Sequence, residues 1–144
     1  MTKELITMLR KHEGVMPRAY QCSEGFWTIG VGRNINPENG LGLSEDEIDL
    51  LLTNDLARCE TEAYDNFQWF ANLDAPRQDG ILNMIFNLGI PRFKGFKKAI
   101  AAMEEKDYET AQTEFMDSRW SRQVGQRAVE VCELIRSGEY PNAE

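Results

Sequence analysis

The sequence predicts an α+β fold that is mostly α-helical, with one small sheet near the N-terminus. Apolar residues recur at the three- and four-residue spacing of amphipathic helices over most of the chain. Between Ala19 and Arg33 this pattern gives way to aromatic and β-branched residues interrupted by glycines, which is typical of a β-hairpin. With 144 residues, the chain is long enough to bury a core as one domain.

The N-terminal elements are a helix, a hairpin and a loop. Helical spacing from Leu5 to His12 predicts a short helix over about residues 3–12. The turn residues Ser23-Glu24-Gly25 join two predicted strands, Ala19–Cys22 and Phe26–Val31. The Asn- and Gly-rich segment Asn34–Leu43 is predicted to be a loop.

The remaining elements are predicted to be helices. The S-x-x-E sequence from Ser44 to Glu47 has the form of a capping box, and a long helix over about 45–66 follows it. Asp74-Ala75-Pro76 begins the next helix, which Gly89 ends. Further helices are predicted over about 94–105, 107–117 and 122–137. We expect a small α+β lobe over about 13–60, and a helical lobe over about 65–144 that includes the N-terminal helix.

The net charge of −8 comes from one acidic segment between Glu38 and Asp65, and the rest of the chain is neutral. A nucleic-acid partner would require a basic patch, so none is expected. No apolar run is long enough for a membrane span, and the N-terminus lacks a signal-peptide pattern. The three cysteines do not suggest a disulfide framework. No metal-ligand spacing or nucleotide loop is present, so we expect no metal and no cofactor.

Residues that could carry chemistry are concentrated between His12 and Gly32. Glu13 lies where the first helix ends, and a carboxylic acid there could act as a general acid. The predicted hairpin register pairs residue 20 with 28 and residue 22 with 26, so Cys22 and Thr28 point to one face. If that face meets Glu13, three protonatable or hydrogen-bonding groups converge.

This pattern resembles the Glu–(Asp or Cys)–Thr triad of phage-type lysozymes, the muramidases related to the T-even coliphage enzyme. The likeness covers about residues 5–140. It includes the segments Thr28-Ile29-Gly30-Val31-Gly32, Leu82-Asn83-Met84-Ile85-Phe86-Asn87-Leu88-Gly89, Ser118-Arg119-Trp120 and Gln126-Arg127-Ala128. The resemblance implies a lysozyme-like two-lobed fold, in which a long helix joins the small N-terminal lobe to an all-helical C-terminal lobe.

The resemblance also implies hydrolysis, with inversion, of the β-1,4 bond between N-acetylmuramic acid and N-acetylglucosamine in peptidoglycan. Glu13 would protonate the departing oxygen, and Cys22 and Thr28 would position the attacking water. The best-known members carry aspartate where this chain has Cys22. A thiol with a pKa near 8.5 is mostly neutral at pH 7, so Cys22 would act as a thiolate or as a water-orienting acceptor. We expect activity to rise with pH across the pKa of Cys22.

Four substrate-binding residues are carried over from the resemblance. Glu24 and Arg119 match positions on opposite walls of the family's cleft, although a turn residue and a surface arginine also explain them. Asn87 matches a cleft-facing amide, and is equally the polar end of a helix before Gly89. Gln123 is carried over within less similar surroundings.

The resemblance places supporting residues as well. Arg127 is expected near Glu13. His12 is expected to be an electrostatic neighbour of Glu13 or a helix-end residue. Arg33 and Asp55 match an ion pair of the small lobe. The residues expected in the core are Trp27, Trp69, Trp120, Cys59 and Cys132.

Three alternatives stay open at this point. A lytic transglycosylase needs only one acid and leaves anhydromuramic ends. A Cys–His peptidase would use Cys22 and His12, but no oxyanion-hole signal accompanies them. A catalytically silent wall-binding module is suggested by the cysteine in place of aspartate.

The biological expectation is a monomeric phage or prophage endolysin whose partner is bacterial peptidoglycan, with no stable membrane insertion. It would accumulate in the host cytoplasm and reach the wall through a separate holin. Whether it is free or carried in a virion is left open.

Overall fold

The computed structural model describes residues 1–141, which form two compact units. The N-terminal unit is Met1–Leu51, and the C-terminal unit begins at Leu52. Helices predominate, and a three-stranded antiparallel sheet lies in the N-terminal unit. The predicted α+β, mostly α class is therefore confirmed.

The N-terminal unit consists of one helix and the sheet before the chain enters the long helix. Its elements are α1 (Lys3–Glu13), β1 (Met16–Gln21), β2 (Trp27–Gly30) and β3 (Arg33–Asn34), with the strands in the order β1-β2-β3. Thr2 begins α1 because its hydroxyl accepts a hydrogen bond from the Leu5 N–H at 3.1 Å, which satisfies an unpaired donor of the first turn. Gly14, with φ of 80°, ends the helix.

The hairpin between β1 and β2 has the predicted register. Tyr20 pairs with Thr28, and the Cys22 N–H donates to the Phe26 carbonyl at 2.9 Å. Because side chains alternate along a strand, this register puts Cys22 and Thr28 on one face of the hairpin.

The third strand lies partly in a segment predicted to be loop. Asn34 belongs to β3, so its assignment to a loop is wrong. The chain turns at Val31 and Gly32 and returns along β2, which pairs Ile29 with Arg33. The turn uses glycine at a φ of 67°, a conformation that other residues adopt with strain.

Helix α2 (Glu45–Asn66) begins in the N-terminal unit and ends in the C-terminal unit, with the predicted bounds. The predicted capping box is present. The Ser44 N–H donates to Glu47 Oε1 at 2.9 Å, and the Glu47 N–H donates to Ser44 Oγ at 3.4 Å. The local sequence is therefore sufficient to start this helix.

The two residues of the predicted ion pair Arg33–Asp55 lie in different units, and each has a charged partner within its own unit. Arg33 donates to Glu47 at 2.6 Å and to the Gly42 carbonyl at 3.1 Å, while Asp55 pairs with Arg58 on α2. The capping box already orients the Glu47 carboxylate, which explains why it is the partner of Arg33. The Ser44 N–H, the Arg33 guanidinium and the Ser44 hydroxyl together lower the pKa of Glu47 to about 2.

The C-terminal unit is built from helices. After a 3-10 helix at Gln68–Asn72 come α3 (Ala75–Leu88), α4 (Ile90–Phe93), α5 (Lys97–Glu104), α6 (Tyr108–Met116), α7 (Arg119–Val124) and α8 (Gln126–Ser137). Asp74 begins α3 by accepting a hydrogen bond from the Arg77 N–H at 3.0 Å, and Gly89 ends it, as predicted.

Two predicted helices have different bounds in the structure. The helix predicted over 122–137 is divided into α7 and α8 at Gly125, whose φ of 59° and ψ of −119° are not helical. The helix predicted over 94–105 begins only at Lys97, because a turn follows the short helix α4. Periodicity alone does not detect a break that preserves the apolar face.

The core of the C-terminal unit is aromatic. Phe115 contacts Phe93 and Phe96, with ring centroids 5.9 and 5.2 Å apart. Phe96 in turn meets Trp120 edge-to-face at 6.2 Å, an arrangement that aromatic quadrupoles favour. These contacts fix α4, α5, α6 and α7 around one centre.

Most of the side chains expected in the core are buried. Those confirmed are Trp69, Trp120, Cys59 and Cys132. Trp27 is the exception, since it is 44% exposed. Strand alternation explains this difference, because β2 directs Thr28 to the buried side and Trp27 to the opposite face.

Candidate functional site

Glu13 is the last residue of α1 and is exposed. Its carboxylate lies against the backbone of Gly32 in the turn between β2 and β3. The end of the helix and the sheet of the N-terminal unit therefore meet at this side chain.

Cys22 and Thr28 form the second part of the candidate site. Thr28 is buried, with 5% exposure, and its hydroxyl lies 3.0 Å from the Phe26 carbonyl as a donor. Cys22 directly follows β1 and is partly exposed, and its carbonyl accepts the Gly25 N–H at 2.8 Å. The tight turn thus directs the thiol to the side of Thr28.

The hairpin turn also changes the acidity of the thiol. The backbone N–H groups of Glu24 and Phe26, and to a smaller extent the Thr28 hydroxyl, can hydrogen-bond to the thiolate form, which lowers the pKa of Cys22. Partial burial and the Glu24 carboxylate oppose this shift, and the net direction is downward. A larger fraction of Cys22 is therefore in the thiolate form near neutral pH than of a free cysteine.

Sequence reasoning identified Cys22 but missed two features around it. It treated Glu24 as a substrate-binding carboxylate and did not predict that the Glu24 N–H stabilises the thiolate. It also did not predict the contact between Gly32 and Glu13. The second glycine of Gly30-Val31-Gly32 was a usable signal, because a close backbone approach often requires glycine.

Two of the expected substrate-binding residues in the C-terminal unit lie around Trp120. The Trp120 indole N–H donates to Asn87 Oδ1 at 2.8 Å, so Asn87 anchors a buried tryptophan. Arg119 is exposed at the start of α7 and lines a pocket of about 500 Å³ together with Phe96 and Trp120. Gln123 is exposed on the same helix.

The two supporting residues lie in different units. His12 is exposed on α1, directly before Glu13. Arg127, on α8, donates to Asn83 Oδ1 from Nε at 3.0 Å and from Nη2 at 2.9 Å. The expected proximity of Arg127 to Glu13 stays a prediction.

Residues 1–141 contain no group of three or more His, Cys, Asp or Glu side chains arranged to hold a metal ion. Over the same residues, no helix has both the length and the apolar character that crossing a membrane requires.

Comparison with known proteins gives consistent matches. Residues 10–136 match the phage lysozyme family. The "Endolysin" of Acyrthosiphon pisum secondary endosymbiont phage 1 is 29% identical over 81% of this chain and 77% of its own length. "Probable T4-type lysozyme 1" of Dictyostelium discoideum is 27% identical over 96% of both chains. "Pre-baseplate central spike protein Gp5" of Enterobacteria phage T4 is 27% identical over 91% of this chain but only 27% of its own length. Since the family match covers most of the sequence, the chain belongs to the phage lysozyme family.

Proposed function

We propose that this protein is an endolysin-type muramidase, a glycoside hydrolase that cleaves the β-1,4 bond between N-acetylmuramic acid and N-acetylglucosamine in peptidoglycan. Membership of the phage lysozyme family and the name of the endosymbiont phage relative support the class. The observation that carries the mechanism is the hairpin register. It puts the Cys22 thiol, whose pKa is lowered, and the buried Thr28 hydroxyl on the same face of the hairpin.

Glu13 is the proposed general acid. Glu13 donates its proton to the glycosidic oxygen. This oxygen stays on N-acetylglucosamine when its bond to the anomeric carbon of N-acetylmuramic acid breaks. A water molecule attacks the same carbon from the opposite face, so the configuration inverts. The exposure of Glu13 on the surface of its unit is compatible with contact to a polymeric substrate.

Cys22 and Thr28 are proposed to position and deprotonate that water. The Thr28 hydroxyl has a single proton, which can be donated either to the Phe26 carbonyl or to the thiolate. In the thiolate form, Cys22 can accept the proton that the attacking water loses. Cysteine thereby performs the role that aspartate has in the best-known family members.

The other expected residues are assigned to binding. Glu24, Asn87, Arg119 and Gln123 are proposed to contact the saccharide or its peptide. Arg127 and His12 are proposed to support the electrostatics of Glu13. No metal or cofactor is part of the mechanism.

The proposed setting is phage-induced lysis by a monomer. The protein would accumulate in the host cytoplasm and depend on a holin to reach the wall. The similarity to the spike protein of phage T4 favours a second setting, as part of a virion. Detection of the protein in purified phage particles would support that second setting.

Mass spectrometry of fragments from digested peptidoglycan tests the chemistry. We expect reducing muramic ends, with a higher yield at pH 9 than at pH 6 for the wild type. Cys22→Ala should lower kcat about 10²-fold, which is typical for loss of a general base. Cys22→Asp should retain activity and flatten the pH profile. Cys59→Ala serves as the control, because Cys59 is a buried cysteine of the C-terminal unit to which no catalytic role is assigned.

Each other outcome has a defined meaning. Anhydromuramic ends would indicate a lytic transglycosylase and would remove the proposed roles of Cys22 and Thr28. No fragments from folded protein would indicate a silent wall-binding module. Full activity of Cys22→Ala at both pH values would show that the thiol has no catalytic role.

A further inference from the structure

We propose that Gly32 positions the carboxylate of Glu13, and that a larger residue at position 32 would displace it. This inference rests on the proposed role of Glu13 as the general acid. It concerns a residue without any functional group, whose contribution is the space that it leaves open.

The geometry of the contact is specific. A Cβ added to Gly32 would lie 2.7 Å from Glu13 Oε2, 3.1 Å from Cδ and 3.3 Å from Cγ. Optimal separations between non-bonded carbon atoms are about 3.5–4.0 Å, so even the smallest side chain would overlap the carboxylate. The distal half of the Glu13 side chain therefore packs directly on the open face of Gly32.

The contact joins two elements of the N-terminal unit. Glu13 ends α1, while Gly32 belongs to the turn after β2. Within the N-terminal unit, Met1–Leu51, the structure shows no hydrogen bond or ion pair from the Glu13 carboxylate. An exposed glutamate samples several rotamers, and packing against Gly32 restricts this freedom.

The overlap can be relieved by moving the flexible carboxylate. A substitution at Gly32 should therefore shift the acid away from the departing oxygen more than it unfolds the protein. A displacement of about 1 Å at a reacting group can lower a rate about 10²-fold. Activity is thus the sensitive readout, and stability is the secondary one.

A matched control is available in the same unit. Gly42 has a φ of 63°, close to the 67° of Gly32, so alanine should introduce similar backbone strain at the two positions. A Cβ added at Gly42 has no atom within 4 Å. The two alanine variants therefore differ chiefly in the contact with Glu13.

The experiment compares Gly32→Ala with Gly42→Ala on soluble peptidoglycan fragments. Gly32→Ala should lower kcat about 10- to 100-fold with KM unchanged within about twofold. Gly42→Ala should leave both constants within about twofold of the wild type. Equal kcat values for the two variants, or a loss confined to KM in Gly32→Ala, would overturn the proposal.

A second readout does not depend on activity. The ¹³C NMR signal of the Glu13 carboxyl should shift in Gly32→Ala and stay in place in Gly42→Ala. If the wild type cleaves no peptidoglycan, the muramidase proposal fails, and the NMR comparison still tests the contact. The same shift in both variants would contradict the contact.

Folding failure of Gly32→Ala is also informative. In that case, adding Glu13→Ala should raise the Tm of the double variant to about that of Gly42→Ala, because the overlapping carboxylate is gone. A double variant as unstable as Gly32→Ala alone would show that Glu13 is not the group that requires glycine.

Discussion

Replacing Arg77 with methionine should destabilise the C-terminal unit by about 2–4 kcal/mol, because this side chain links the start of α3 to the end of α8. Arg77 Nε donates to the Ile135 carbonyl and Nη2 to the Arg136 carbonyl, each at 2.7 Å. Nη1 pairs with Asp74, also at 2.7 Å, and the guanidinium carbon lies 3.9 Å from the centre of the Tyr108 ring.

The magnitude follows from these contacts. Hydrogen bonds from a charged donor are worth about 1.5–3 kcal/mol each, and a cation–π contact about 0.5–2 kcal/mol. The two carbonyls lie in the last turn of α8, where water can replace part of the lost bonding. The Arg77 side chain is only 17% exposed, so this compensation is incomplete. If water replaces one of the two carbonyl hydrogen bonds, the loss is one charged hydrogen bond of about 1.5–3 kcal/mol plus a cation–π contact of about 0.5–1 kcal/mol, which gives about 2–4 kcal/mol.

Urea unfolding monitored by tryptophan fluorescence measures the effect. Arg58→Met is the matched control, because Arg58 also pairs with an aspartate three residues before it but has a 69% exposed side chain. An exposed pair of this kind should contribute at most about 0.5 kcal/mol. If the two variants lose the same stability within about 0.5 kcal/mol, tertiary anchoring by Arg77 is refuted.

Two further predictions concern ionisation. At pH 7.5, iodoacetamide should modify Cys22, whose pKa is lowered by the turn N–H groups, and spare Cys132, whose pKa burial raises to about 12. Comparable labelling of both in peptide maps would contradict this. The pKa of Glu47, about 2 in the folded protein, is below the unfolded value of about 4.3. Its contribution to stability is thus complete above about pH 4.3 and is lost as the pH falls toward 2. Glu47→Gln should flatten the fall in Tm over this pH range. If Tm falls with pH in parallel for the variant and the wild type, the contribution assigned to Glu47 is refuted.

Local signals predicted the elements whose ends depend on neighbouring residues. Ser44 and Glu47 cap α2 as their spacing indicates, and Gly89 ends α3. The hairpin register was predictable because a short turn leaves few ways to pair two strands, and that register brings Cys22 next to Thr28.

Other features depend on partners distant in the sequence. Arg33 pairs with Glu47, fourteen residues away, whose carboxylate the capping box has already oriented. Gly125 divides a continuous apolar pattern into α7 and α8, which periodicity does not detect. Arg77 reaches two carbonyls almost sixty residues away, and nothing in its local sequence indicates this.

The amino-acid order alone was enough to derive the fold class, the helix starts and the hairpin register that puts Cys22 and Thr28 on one face. These depend on periodicity, capping and turn chemistry, which act over a few residues. The folded chain decided how acidic Cys22 is, which carboxylate holds Arg33 and which surface the Glu13 carboxylate packs against. Each of these depends on distances between atoms that are brought together only by folding, because hydrogen bonding, charge interaction and steric overlap all change within an ångström.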